Sequence, residues 1–553
     1  MKKIFLYSSI ALATFVTSCR EMDDNISPNN VDPSSISPRQ TLTASQNLVF
    51  TAQAGTMNSL SNVWTNTWAG NNFYFGNPIT REYSLDISNT FSTGIWTSSY
   101  IAANNLQGII NGGAKLPLHS AIARILKAYT MQYVVDFYGD VPYSEAFQGQ
   151  NNLTPKYDDD SAVYRELVLE INKAIADIDA TKAAGINGDN IVTAQEDVIF
   201  GGDVDKWKLF AKNVKLKILL RQSKVTDADV RTFVDAQLKT LATGNQNDFF
   251  TGDVTINPGY SNQNSSTPNP MFTNYGVVNY QGSSVNTNGW RLYKAADYYA
   301  SSANGTMYGT GTGDLRGTVM FRSLSSSSDA MQAVSTIRGL KQGAPKLTGS
   351  EWTQASVIGW KFIGSNTTSP TSYNTSNAYS MVRQGDTNSG SIIANKGASM
   401  DGYLALGAEN KLLLAEAATL YPTIFTFSNQ ALYQEAVNDS FTFYGLTAAQ
   451  ASQYLNGING TTAGWAGAPN KIAAIQYQRF ASLPNLRQVE TYINFLKTGY
   501  PAIPVAENAS ATNKPYRLIY PSSEYTGNSS NVPNVTIPQA FTKNATTPFW
   551  NQN

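Results

Sequence analysis

The chain of 553 residues contains one cysteine, Cys19, and one histidine, His119. Cys19 sits in the N-terminal run, so the folded part has no disulfide, thiolate nucleophile or thiolate metal site. One histidine excludes a multi-histidine zinc centre, and H-E-x-x-H is absent. His119 itself reads as a loop or helix-start residue. Charge is scarce and balanced, 39 basic against 39 acidic residues and 14% charged overall, so no basic stripe points to nucleic acid. No G-x-S-x-G elbow is present. The glycine-rich run Gly309 to Gly313 fits neither a dinucleotide fingerprint nor a phosphate loop. No cofactor is expected.

Aromatic residues are plentiful instead, at 11% with 30 tyrosines and 9 tryptophans. Together with abundant Asn, Ser, Thr and Gly, they suit a surface that stacks on and hydrogen-bonds neutral polar ligands.

The N-terminus carries an address. Lys2 and Lys3 precede an apolar run from Ile4 to Val16, then Thr17, Ser18 and Cys19. A basic start, a short apolar run and a small residue before the cut describe a secretory signal, too short for a membrane span. Cleavage before Cys19 would leave its thiol free for acylation, as in bacterial lipoproteins. Glu21, Asp23 and Asp24 follow, and the chain to Ser37 is polar and proline-bearing, suiting a flexible tether. The expected organisation is a signal at residues 1–18, a lipid-anchored tether at 19–37 and one domain at 38–553.

Helical periodicity is strong in eight stretches. Ile122, Ile125, Leu126, Tyr129, Tyr133 and Phe137 mark the first, and Tyr164 to Ile178 the second, opened by Asp158 to Asp160. Asp205 precedes a third that contains Trp207, an expected core residue. Thr226 and Asp229 open a fourth as a weak capping box. Four more run near Leu406–Leu420, Ala431–Phe443, Lys471–Ala481 and Leu486–Leu496. They fall into four consecutive pairs, which suggests a helical-repeat scaffold. The segment from Gly244 to Asn395 reads as long loops with short helices or strands, the kind of segment that carries function.

The first helix runs into Asp136-Phe137-Tyr138-Gly139-Asp140-Val141-Pro142-Tyr143-Ser144-Glu145-Ala146-Phe147. Its three carboxylates resemble what a glycosidase requires. Gly139 also suits a helix C-cap and Pro142 the exit from it, so the motif reads as structural, with Asp136 and Asp140 capping backbone donors. The run is similar to the signature of the SusD/RagB family, nutrient-binding lipoproteins of the bacterial outer membrane. Further blocks follow in the family's order: Asp197 to Arg221, Asn269-Pro270, Asp314 to Arg316, Leu412 to Ala418, Tyr433 to Gly445, Gln476 to Phe480, Glu490 to Tyr492, Thr498 to Pro501 and Pro515 to Pro521. Leu315, Tyr492 and Lys497 depart from the residues usual there. The resemblance implies a mostly α fold, a superhelix of about four tetratricopeptide-like helix pairs with a large loop-rich ligand-binding face. It implies a surface-exposed binder, not an enzyme, that passes an oligosaccharide or peptide to a SusC-type TonB-dependent transporter. It also favours Glu416 and Arg517 as charges that lock the scaffold.

Loop aromatics are the ligand candidates, because sugar rings pack apolar faces on flat rings. Trp64, Trp68, Phe73, Tyr74, Phe75 and Trp96 form one cluster, with Asn71, Asn72 and Arg81 as polar partners. Trp290, Tyr293, Tyr298 and Tyr299 form another. The two clusters are expected to meet on one face, with Trp64 or Trp68 and Trp290 exposing their rings. The alternatives are a membrane-anchored glycoside hydrolase or peptidase, which needs two carboxylates facing one cleft, and a structural surface protein without a small ligand.

Overall fold

The computed structural model describes residues 37–70, 79–276, 292–322, 337, 339–344, 357–358 and 397–552, with the side chains of 189, 357 and 358 left aside. Long helices carry the architecture: α1 (Pro38–Ala52), α2 (Asn58–Trp64), α3 (Gly94–Asn111), α4 (Pro117–Tyr138), α5 (Asp160–Ala184), α6 (Val204–Arg221) and α7 (Ala228–Lys239). The second half adds α8 (Gly407–Leu420), α9 (Asn429–Phe443), α10 (Ala448–Ile458), α11 (Lys471–Ser482) and α12 (Gln488–Thr498). Helix α4 packs on α5, α6 on α7, α8 on α9 and α11 on α12, the four expected pairs. The fold is mostly α, as the sequence implied.

Strands are few and short. β1 (Trp68–Gly70), β3 (Tyr293–Ala295), β4 (Phe321–Arg322) and β5 (Val357–Ile358) form a sheet in the order β1-β3-β5-β4. β2 (Val254–Ile256) pairs antiparallel with β6 (Gly402–Ala405).

Helix starts show local chemistry at work. Asp159 accepts from the backbone N–H groups of Ser161 and Ala162 at the head of α5. Asp203, not Asp205, caps α6. Asp227 caps α7 in place of the Thr226 box, because its carboxylate reaches both Asp229 and Val230 N–H groups. Helix α4 begins with Pro117 and ends at Gly139, whose φ of 72° favours glycine. A side chain there would also crowd Arg517 Nη1 at 3.2 Å. His119 lies in the first turn of α4, fully buried, and burial lowers its pKa.

Four of these helices, α1, α2, α3 and α10, escaped the periodicity reading. Helix α1 buries Ser45 and Gln46 beside Leu42 and Val49, and α3 buries Ser99 between Ile95 and Ala102. Polar and small residues on the inner face dilute the apolar stripe that periodicity detects. On α1 they stay inside because they are bonded: Gln46 donates to Asp197 Oδ1 at 2.8 Å, and Ser45 Oγ donates to Thr41 O at 2.8 Å. Asp197 also accepts from Trp207 Nε1 at 2.7 Å and from Gly202 N–H at 2.8 Å. One carboxylate thus ties α1 to the turn before α6, and Trp207 is core, as expected.

The helix pairs are joined by buried charges. Glu490 of α12 accepts from Tyr133 Oη at 2.5 Å and Lys217 Nζ at 2.9 Å, and lies 3.3 Å from Arg221. Burial pushes its carboxyl up, but the charges of Lys217, Arg221 and Arg487 outweigh this and hold it well below the carboxylate range. Arg487 in turn donates to both oxygens of Glu409, at 2.9 and 3.0 Å. A second knot centres on Glu416 of α8, which accepts from Lys497 at 2.5 Å and Arg479 at 3.0 Å. Arg316 makes a third, gripping Asp314 at 2.7 Å while donating to Ser440 and Ser482. Arg517 is buried too, and donates to the carbonyls of Leu518 and Thr546.

The Glu416 knot makes a test. Burial raises its pKa, but Lys497 and Arg479 outweigh that and bring it from 4.5 to about 2. A depressed carboxyl stabilises the fold above its unfolded pKa and loses that contribution as pH falls through its folded pKa. Glu416→Gln leaves two buried cations short of their counter-charge and is expected to cost roughly 3–5 kcal/mol at neutral pH. Chemical denaturation of both proteins should show this gap narrowing as pH falls from 4.5 towards about 2. A gap that stays constant over that range contradicts the assignment.

Candidate functional site

The three carboxylates of the α4 exit motif face three ways. Asp136 is buried, accepts from the Tyr164 hydroxyl and pairs with Arg221 at 3.3 Å, so it is a charge partner and not the expected cap. Asp140 does cap, accepting from Asp160 N–H at 3.0 Å. Glu145 accepts from Lys156 N–H at 3.2 Å near the surface. The motif holds no carboxylate pair facing one cleft.

Its real product is a positioned loop. Asp158 accepts from Tyr143 N–H and Ser144 N–H, both at 2.8 Å, and from Ser144 Oγ at 2.6 Å. Val141 and Asp158 exchange backbone hydrogen bonds in an antiparallel bridge. These bonds carry the chain to Phe147, held at a φ of 64°, an uncommon backbone setting for a non-glycine residue. Its ring stacks on Tyr100 of α3 at 5.8 Å and 28°.

A groove of about 600 Å³ opens beside this contact, a volume typical of ligand sites. Helix α3 supplies one wall with Trp96, Tyr100, Ile101, Asn104 and Asn105. The loop from Pro142 to Pro155 supplies the other, and the short helix Ser522–Gly527 closes an end with Glu524. Ile101 and Leu153, 49% and 75% exposed, put apolar surface on both walls. Trp96 anchors the floor, with ring centroids of Tyr100 at 4.7 Å and Tyr138 at 5.0 Å. The Tyr100 hydroxyl donates to Pro142 O at 2.8 Å, which fixes the ring's tilt. Glu524 accepts from Tyr157 Oη at 2.9 Å, and burial raises its pKa. It is the one carboxylate among the described residues lining the groove.

The expected ligand residues divide sharply. Trp96 lines this groove. The two aromatic clusters do meet, since β1 pairs with β3 in the register Trp68↔Ala295 and Gly70↔Tyr293. They meet as core, however. Trp64 and Trp68 are each 1% exposed, so neither offers the ring face that was expected. Trp64 packs on Phe91 and Tyr492, while Trp68 donates to Asn485 Oδ1 at 2.7 Å and lies 4.6 Å from the Tyr293 ring. Tyr293 and Tyr299 are buried as well, Tyr299 against Phe321 and Phe480. Tyr298 is half-buried and donates to Ala502 O at 3.1 Å. Arg81 reaches Asp86 at 3.3 Å and Ser88 at 2.7 Å instead of a cleft. Asn71, Asn72, Phe73, Tyr74, Phe75 and Trp290 lie outside the described residues.

Tyr100, Ile101, Asn104, Phe147 and Leu153 were not anticipated. A signal for three of them was present. On α3 the residues Ile95, Ser99, Ala102, Leu106 and Ile109 form the buried stripe, and Tyr100 and Ile101 fall out of phase with it. Large apolar residues off the buried face, beside asparagines, mark a surface that meets something.

The groove is thus lined by aromatic, aliphatic and amide side chains and held on a helical scaffold. The chain belongs to the SusD-like family described as starch-binding associating with outer membrane, whose sequence profile matches residues 28–337. No curated protein sequence matches the chain. Solved structures share the fold at low identity. A chitin-binding SusD homologue from Flavobacterium johnsoniae is 18% identical with a TM-score of 0.63, over 92% of this chain and 98% of its own. A SusD homologue from Bacteroides fragilis is 17% identical with a TM-score of 0.66, over 94% and 99%. One from Bacteroides thetaiotaomicron is 18% identical with a TM-score of 0.61, over 95% and 100%. Among the described residues no helix is long and apolar enough to cross a membrane.

Core aromatics and the exposed groove rim should separate in melting experiments. Trp68→Ala removes a fully packed ring and is expected to cost roughly 3–5 kcal/mol, as Trp207→Ala should. Leu153→Ala, at an exposed rim, is expected to shift stability by about 0.5 kcal/mol or less. Equal melting temperatures for wild type and Trp68→Ala would contradict the core assignment.

Proposed function

We propose that this protein captures an oligosaccharide in the groove between α3 and the loop from Pro142 to Pro155, and performs no chemistry on it. The observation that carries the reading is the lining itself. The half-buried Tyr100 and Phe147 rings stand beside the amides of Asn104, Asn105 and Asn152. The stacked Tyr100–Phe147 pair and the exposed Ile101 and Leu153 offer apolar surface to the C–H faces of a pyranose, and amides offer both donor and acceptor to its hydroxyls. Glu524 adds an acceptor. A hydrolase needs a second carboxylate across the cleft, and the described lining supplies one. The chitin-binding relative has the same fold and supports a glycan over a peptide.

We further propose that acylated Cys19 anchors the chain in the outer membrane, facing outward, and that the protein delivers its ligand to a SusC-type TonB-dependent transporter. Residues 1–18 act as the signal, 19–37 as the tether and 38–553 as one binding domain. A single acyl chain binds membranes only marginally, so several are needed for firm attachment.

Calorimetry with a panel of oligosaccharides tests the groove. Tyr100→Ala should lower affinity for the bound glycan by roughly 1–3 kcal/mol, the value of losing a large apolar contact. Chromatography after long incubation should show the glycan intact. Affinity unchanged in Tyr100→Ala would place the ligand elsewhere, and turnover abolished by Glu524→Gln would favour a hydrolase. For the anchor, Cys19→Ala should abolish incorporation of a labelled fatty acid. Equal labelling of wild type and variant would refute lipidation at that residue.

A further inference from the structure

The groove does not end at Phe147. On the far side of that residue lies a second cleft of about 510 Å³, which shares Ala146, Phe147 and Gln148 with the first. Its character differs. The first is lined by Trp96, Ile101 and Leu153, the second by Gln107, Asn111, Lys127, Ser144, Asn151 and Glu170. Gln148, Asn151 and Asn111 are exposed at the rim, so the cleft is reached from solvent.

Two groups in its lining have unused hydrogen-bonding capacity. Lys127 is 4% exposed, and its ammonium donates to Gln107 Oε1 at 2.7 Å. It sits over the rings of Tyr143 at 4.4 Å and Phe147 at 5.0 Å. It makes no ion pair among the described residues. An ammonium carries three donors, and one is used here by an acceptor. The cleft's carboxylate, Glu170, pairs with Arg124 and attracts Lys127 only from a distance, so the ammonium has no contact ion pair and two of its donors stay unused among the described residues. The second group is Tyr143, 8% exposed, whose hydroxyl has no hydrogen-bond partner among the described residues. An unpaired buried hydroxyl and an unpaired buried cation are each costly. Both face the same need, an acceptor carrying negative charge.

We propose that the cleft beyond Phe147 is a second saccharide subsite that takes a unit bearing an anionic group, carboxylate or sulfate, on Lys127 and Tyr143. The inference rests on the groove being the glycan site and specifies its ligand as an acidic oligosaccharide. Phe147 marks the crossing between the two subsites, its ring against Tyr100 on one side and the Lys127 ammonium on the other. The ligand therefore spans at least two sugar units, a neutral ring in the groove and an acidic one beyond it. Burial lowers the Lys127 pKa to about 8, so the group is charged at neutral pH.

The test uses oligosaccharides supplied in matched neutral, uronate-bearing and sulfate-bearing forms on each of several backbones, titrated calorimetrically into the full chain. Wild type should prefer an anionic form of the bound backbone, and the uronate and sulfate arms identify which anion it takes. Lys127→Met, which keeps the stem and removes the charge, should shrink the anionic-to-neutral preference roughly tenfold or more. Tyr143→Phe, which removes one oxygen, should shrink it by a smaller factor and covers the case in which Lys127→Met fails to fold. A neutral form bound as tightly as its anionic counterparts, or a preference that survives both variants, overturns the subsite. In that event neutral binding that is still lost in Tyr100→Ala leaves the groove reading standing. If no form of any backbone binds, the groove reading falls and the subsite with it.

Discussion

Three cations converge on Glu490, and the helical scaffold depends on that convergence. Lys217 and Arg221 come from α6, Arg487 from the turn before α12, and Tyr133 from α4 completes the shell. Taking such charges from water costs several kcal/mol per ion, so each must be matched and bonded or the core does not close. The matching extends outward. Arg487 holds Glu409 at the head of α8, and Arg221 reaches Asp136 at the end of α4. Helices far apart in sequence are thereby placed in one register. A purely apolar interface would tolerate sliding, whereas a buried ion pair has one good geometry.

That rigidity positions the groove. Helix α4 packs against α3 and α5, and its final turn delivers the loop that Asp158 pins from the start of α5. Phe147 then projects from a loop whose base is fixed at both ends. Tyr100 and Trp96 project from α3, on the opposite wall. In the proposed site, ligand contacts come from a rigid helix and a clamped loop, an arrangement that limits the ordering cost of binding. Apolar surface and amides would serve one proposed subsite, and a buried ammonium and phenol the next.

The family blocks were readable because they are the buried charges. Asp197, Arg316, Glu416, Glu490 and Arg517 stand inside the quoted blocks, and the first four tie elements distant in the chain. A rare charged residue in an apolar helix is conspicuous in a chain with 14% charge. Helix pairing was readable for the same reason that periodicity works: α4, α5 and α8 bury continuous apolar faces. The groove was not readable in the same way. Its residues are asparagines, a tyrosine and exposed aliphatics on a helix whose buried stripe is partly serine and alanine. Aromatic density misled as well. Trp64, Trp68 and Tyr299 lie in polar surroundings along the chain, yet α12 covers Trp64, the β1–β3 pairing covers Trp68, and Phe480 of α11 covers Tyr299. Local polarity says little about rings that are covered by partners hundreds of residues away.

In the proposed complex the ligand lies across Phe147, between Tyr100 and Lys127. A crystal structure of the complex with an acidic oligosaccharide measures this directly. Electron density for one sugar ring against Tyr100 and for an anionic group within hydrogen-bond distance of Lys127 Nζ is the expected result. Density over the β1–β3 sheet, with the Phe147 crossing empty, would contradict it.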